Sequence, residues 1–172
     1  AANYPGATTL LNSAATRDSV LAELKRSDVF HFAGHYVYDG RSPMRSGLLL
    51  AGSGDTLLAN RDIARMRLND LNLVVLSACE TGSEQVINGE GMLGAARTFL
   101  AAGIPLVVAS HWEVDSEATA ELMTNFHKLR KSNGLSSVRA LRMAQLSMLE
   151  SPDPRFREPF YWAPFIAYGA NN

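Results

Sequence analysis

Short apolar β-rich runs alternating with amphipathic helical stretches predict an α/β domain with a largely parallel sheet. Three runs carry the prediction: Asp28 to His35, Leu73 to Ala78 and Pro105 to Ser110, each brief, apolar and rich in β-formers. Between and after them, Leu93, Ala96 and Leu100, then Ala118, Leu122, Phe126 and Leu129, recur at helical spacing. A length of 172 residues suits one domain over residues 1–172, and a 47% hydrophobic content supplies its core.

Residues 1–15 are small and polar around the Pro5-Gly6 turn and read as an approach segment. Thr16 is placed to cap a helix running to about Arg26, with Val20, Leu21 and Leu24 inward. Asp39-Gly40 and Ser42-Pro43 mark a loop after the first strand. Leu48 to Ala51 and Thr56 to Ala59 then form a hairpin, and Asn60 caps a brief helix toward Met66. Cys79 falls just past the second strand, before a glycine-rich loop holding Gly82, Gly89 and Gly91. Gly103 stops the helix containing Leu93, and Ser116 begins the next. Ser136 begins another, with Val138, Leu141, Ala144 and Met148 inward. Pro152, Pro154 and Pro159 punctuate a loop before a last strand, Phe160 to Tyr168.

A net charge of -1 with dispersed basic residues gives no electrostatic reason to expect nucleic acid or an anionic membrane as a partner. A lone cysteine excludes an internal disulfide and a cysteine zinc cage, and it fits a reducing, cytoplasmic compartment. No apolar run reaches the roughly 20 residues that span a bilayer, and no secretory signal opens the chain. The start at Ala1-Ala2, without methionine, reads as a domain excised from a longer protein.

Chemistry gathers at two strand ends. His35 and Cys79 each close a buried strand, and in parallel sheets the carboxyl edge is where ligands bind. Adjacent strands lie about 4.8 Å apart, so both side chains have a route to one cleft. A thiol beside an imidazole is the usual pairing for nucleophilic cysteine catalysis. His31 shares the strand face of His35, yet no nearby Asp, Glu or Cys completes a metal set, so no metal is expected and His31 reads as a core or supporting residue. Gly89-Glu90-Gly91 lacks a phosphate-loop lysine and carries an acid that repels anions, which argues against a nucleotide site. No cofactor is implied.

Several blocks together resemble the CHAT family of caspase-like cysteine peptidases. These are Val29-Phe-His-Phe-Ala-Gly-His35, Val74-Val-Leu-Ser-Ala-Cys-Glu-Thr-Gly82, Gly89-Glu-Gly91, Val108-Ala-Ser-His-Trp-Glu-Val-Asp115 and Trp162-Ala-Pro-Phe, in the family's order. The resemblance implies a caspase-like three-layer sandwich, a mainly parallel sheet between helices. It implies a cysteine endopeptidase with Cys79 as nucleophile and His35 as catalytic histidine, and the backbone N–H groups of Cys79 and Tyr36 as oxyanion donors. Family members usually carry glycine where Tyr36 stands, so a side chain is expected to crowd the approach.

Ser77, Trp112 and Asp115 are candidates for the pocket that takes the residue before the cut, and an acid there favours a basic side chain. Asp115 reads equally as a helix cap, and Trp112 and Trp162 as core residues. The resemblance further implies a protein or peptide substrate, placement C-terminal to tetratricopeptide-type repeats, and gating of the peptidase by that repeat domain or a partner. The alternative function is a catalytically silent CHAT-fold interaction or signalling module.

Overall fold

The computed structural model of the chain describes residues 3–81 and 90–170. A six-stranded sheet forms in the order β3-β2-β1-β4-β5-β6. Its strands are β1 (Val29–Val37), β2 (Gly47–Leu49), β3 (Leu57–Ala59), β4 (Leu73–Thr81), β5 (Leu106–Ser110) and β6 (Phe165–Gly169). The helices are α1 (Arg17–Leu24), α2 (Asn60–Ile63), α3 (Glu90–Ala101), α4 (Ser116–Ser132), α5 (Ser137–Met148) and α6 (Pro159–Trp162). The central strands β1, β4 and β5 pair in parallel, while β2, β3 and β6 complete the flanks antiparallel.

Strand alternation divides the core into two layers of side chains. On one face Val74, Leu76, Val107 and Ala109 pack with Leu24 of α1, Ile63 of α2 and Phe99 of α3. On the other, Val75, Leu106 and Val108 pack with Leu122 and Phe126 of α4 and Ala144 and Met148 of α5. The result is the three-layer α/β sandwich expected of a caspase-like fold. Strands buried on both faces read as continuous apolar runs, which is why β4 and β5 stand out in the sequence.

Thr16 caps α1 as expected, its hydroxyl accepting from the Ser19 amide. Gly47 has a physical reason to be glycine: an added Cβ would lie 2.3 Å from the Leu58 carbonyl oxygen across the hairpin. Gly103 ends α3 with φ +96°, a conformation that favours glycine.

Several boundaries differ from the sequence reading. β4 continues through Cys79 to Thr81, so the cysteine lies within the strand and not beyond its end. β1 likewise runs past His35 to Val37, held between β2 and β4. Phe160 to Trp162 belongs to the helical turn α6, and the last strand starts only at Phe165. Pro159 at the start of that turn presets a helical φ. Asn60 is the first helical residue of α2, with Ala59 as cap, because its amide is drawn to Tyr36 and Pro43. Val138 is 38% exposed, one step off the buried stripe of Leu141, Ala144 and Met148. Gly91 lies in α3, and Gly82 and Gly89 fall outside the described residues.

Candidate active site

The β1–β4 ladder is in register over nine residue pairs, from Val29 opposite Leu73 to Val37 opposite Thr81. Within it His35 stands directly opposite Cys79, about 4.8 Å away by the spacing of paired strands. On its other side His35 pairs with Leu49 of β2. His31, Ala33 and His35 are all exposed on their face of β1, and Leu49 beside them is 41% exposed. Helices α4 and α5 cover the β4–β5 side of this face and leave that part of β1 open to solvent.

Ser110, the last residue of β5, donates its hydroxyl to the Ala78 carbonyl at 3.1 Å. The β4–β5 ladder runs only as far as Leu76 opposite Ala109. A buried side chain thus continues the tie between the strands up to the residue that precedes Cys79.

Tyr36 does not crowd this face. It is 1% exposed and points to the opposite side of the sheet, where its hydroxyl accepts from Asn60 Nδ2 at 2.9 Å beside α3. The reason is the two-residue period of the strand: the neighbour of an outward His35 must turn inward. Its backbone sits in the ladder opposite Leu48 and Glu80 rather than in a turn.

The remaining candidates separate. Ser77 is 6% exposed and lies on the His35 side of the sheet, where it meets His31 Nε2 at 3.0 Å. Asp115 caps α4, its Oδ1 accepting from the amides of Glu117 and Ala118 at 3.0 and 2.9 Å. Trp112 is 42% exposed and not a core residue, and its indole N–H donates to the Phe160 carbonyl. Trp162 is half-buried against the α4–α5 layer. A cleft of about 370 Å³ opens just past His35 between Val37, Asp39, Arg45, Asp55 and Arg61.

Sequence reasoning missed the partners of His31. Its Nδ1 lies 3.1 Å from His127 Nε2 on α4, and His127 Nδ1 lies 3.0 Å from the Tyr4 hydroxyl in the approach segment. Burial lowers His31 to about 4, although the residue is exposed on its face of β1. Burial, then the neighbouring His31 and Arg130, lowers His127 to about 3. Both imidazoles are therefore neutral near pH 7. The even spacing of His31 and His35 places them on one face, but nothing in the sequence brings α4 to them. Among the described residues no group of three or more His, Cys, Asp or Glu gathers as a metal site. No described helix is long and apolar enough to cross a membrane.

The family model of the CHAT domain matches residues 2–170. Tetratricopeptide repeat protein 28 of Mus musculus is 25% identical over 201 residues, covering 96% of this chain and 8% of that protein. Its Homo sapiens counterpart is 26% identical over 202 residues, with the same two coverages. The chain thus spans only 8% of the length of these repeat-containing relatives. With the match running almost end to end over a caspase-like sheet, the chain belongs to the CHAT domain family.

Proposed function

We propose that this domain is a cysteine endopeptidase working through a Cys79–His35 dyad, attached to tetratricopeptide-type repeats that gate it. The observation that carries the reading is the register pairing of His35 with Cys79 on adjacent parallel strands, on an open part of the sheet. Proximity of this kind is what a thiol and its proton-transfer partner require.

His35 takes the Cys79 thiol proton as the sulfur attacks the substrate carbonyl carbon, and the carbonyl π pair moves to oxygen as the tetrahedral oxyanion. As the C–N bond breaks, the amine leaves with a proton delivered by His35, and a thioester remains. Water then adds to the thioester as His35 takes its proton, the C–S bond breaks, the acid product leaves, and His35 returns the proton to the sulfur. The backbone N–H groups of Cys79 and Tyr36 are the proposed oxyanion donors, which for Tyr36 requires the end of the β1 ladder to part. The mixed-charge cleft past His35 gives a polar substrate segment a place to lie.

A peptide library incubated with the wild type and with Cys79→Ala tests the proposal. Cleavage by the wild type and none by the variant is expected; equal cleavage by both rules out the nucleophile.

The second reading is a silent interaction module, and one observation favours it: β4 keeps its ladder through Cys79, the position that must admit a substrate. An electrophilic thiol probe distinguishes the two. Labelling of Cys79 that falls sharply in His35→Ala supports catalysis, whereas a thiol indifferent to His35 supports the module.

A further inference from the structure

The open face of the sheet beside His35 carries an apolar strip that neither core layer uses. His35 pairs with Leu49 across the β1–β2 ladder, and Leu49 pairs with Leu57 across β2–β3. Two residues further along β1, Val37 pairs with Gly47, and Gly47 with Ala59. Residues paired across antiparallel strands share a face, with Cβ atoms about 5 Å apart, so Val37, Leu49, Leu57 and Ala59 lie on the His35 side of the sheet. Among the described residues, these four pack into neither hydrophobic layer. Leu49 is 41% exposed, and Val37, Leu57 and Ala59 line the cleft of about 370 Å³. A single exposed leucine is ordinary, but this one is continuous with an apolar floor.

The rim of that cleft favours neither sign of charge. It holds two acids, Asp39 and Asp55, and two arginines, Arg45 and Arg61. Arg45 Nε holds Asp39 Oδ2 at 2.8 Å, Asp55 lies 3.8 Å from Arg17, and Arg61 lies 3.9 Å from Asp62. With each charge opposed by a neighbour, the apolar floor is what discriminates between side chains.

The direction of a bound chain follows from the chemistry. The sulfur bonds to the carbonyl carbon and His35 delivers its proton to the nitrogen, so the scissile C–N bond points from β4 toward β1. The acyl half therefore lies on the β4 side, and the half that leaves continues past His35. Leu49 is the next residue in that row. In the opposite direction, α4 and α5 cover the face.

We infer that Leu49, with the cleft floor of Val37, Leu57 and Ala59, seats the residue directly after the cut, and that this residue is a large apolar one, such as Leu, Ile, Met or Phe. The inference rests on the peptidase reading for the direction of the chain. The peptide beyond that residue runs between the balanced charges of the rim. Leu49 touches the substrate side chain and none of the reacting atoms, so it sets specificity rather than chemistry.

A peptide library cut by the wild type, with the new amino termini read by mass spectrometry, tests the inference. Cys79-dependent cuts are expected about tenfold more often before Leu, Ile, Met or Phe than before Ser or Asp, the scale set by burying one aliphatic side chain. Leu49→Ser is expected to bring the two classes to near parity, and Leu49→Met to keep the preference. Cuts without an apolar preference, a preference that survives Leu49→Ser, or one lost equally in Leu49→Met overturn the inference and leave the peptidase reading standing. No Cys79-dependent cut in any peptide removes the peptidase reading, and the inference falls with it. A dimer or a repeat-domain contact that dissociates in Leu49→Ser while the cuts stay the same assigns the strip to that other occupant, and likewise overturns the inference.

Discussion

The Ser110 hydroxyl donates to the carbonyl of Ala78 at 3.1 Å, and both residues are buried within 2% of full enclosure. The bond lies beyond the last backbone pair of β4 with β5, directly before the cysteine. Ser110→Ala is expected to cost about 1 kcal/mol in urea denaturation, the worth of one buried hydrogen bond. If the peptidase reading holds, it also lowers the rate of Cys79 labelling more than a surface substitution of equal stability cost. Labelling that follows stability alone would show that Ser110 does not position the cysteine.

Tyr36 gives opposite expectations for two substitutions. Its ring is enclosed beside α3 and its hydroxyl accepts from buried Asn60. Tyr36→Phe removes that acceptor and is expected to destabilise by about 1–2 kcal/mol. Tyr36→Gly restores the residue usual in the family but empties a core site, at a cost of about 3–5 kcal/mol. Chemical denaturation of both variants checks this, and a Gly variant as stable as wild type would contradict the enclosed placement.

Asp115 acts as a cap, so its loss should be felt in α4. Asp115→Ala is expected to cost about 1 kcal/mol, while Asp115→Asn, an equally good cap, costs little. Thermal melting of the pair decides it. A charge-reading role would instead make the two variants alike.

The paired imidazoles make stability depend on pH in a defined direction. The unfolded chain protonates both near 6.5, whereas the folded chain does so only near 4 at His31 and near 3 at His127. Between those values the unfolded state binds more protons, so stability falls as pH drops from about 6.5 toward 4. A loss on the order of 1 kcal/mol between pH 7 and 5 is expected, with His31 discounted for its exposure. Denaturant titrations at both pH values check the sign, and the double variant His31→Gln with His127→Gln should flatten the dependence.

The apolar runs of β4 and β5 were legible because burial on both faces leaves no polar alternation to blur them. The helix stripe of Ala118, Leu122 and Phe126 was equally plain. Strand ends were not. Extension of β4 through Cys79 depends on β1 lying alongside it, a partner that local propensity does not contain. Pairing of His35 with Cys79 followed from the strand-end pattern, but the inward turn of Tyr36 required knowing that β1 continues past His35. The contact of His31 with His127 and Tyr4 joins three elements remote in sequence, so only tertiary packing reveals it.

The nine-pair alignment of β1 with β4 has a bearing on how such a chain tolerates change. Val74 and Leu76 fill one side of the sheet and Val75 the other, so displacing the strand by a single step would exchange their destinations. That same displacement would bring Gly34 or Tyr36, not His35, alongside the cysteine. Aliphatic residues away from His35 and Cys79 therefore act as the timing marks of that alignment, and a substitution that merely loosens their fit would disturb it before it unfolds the domain.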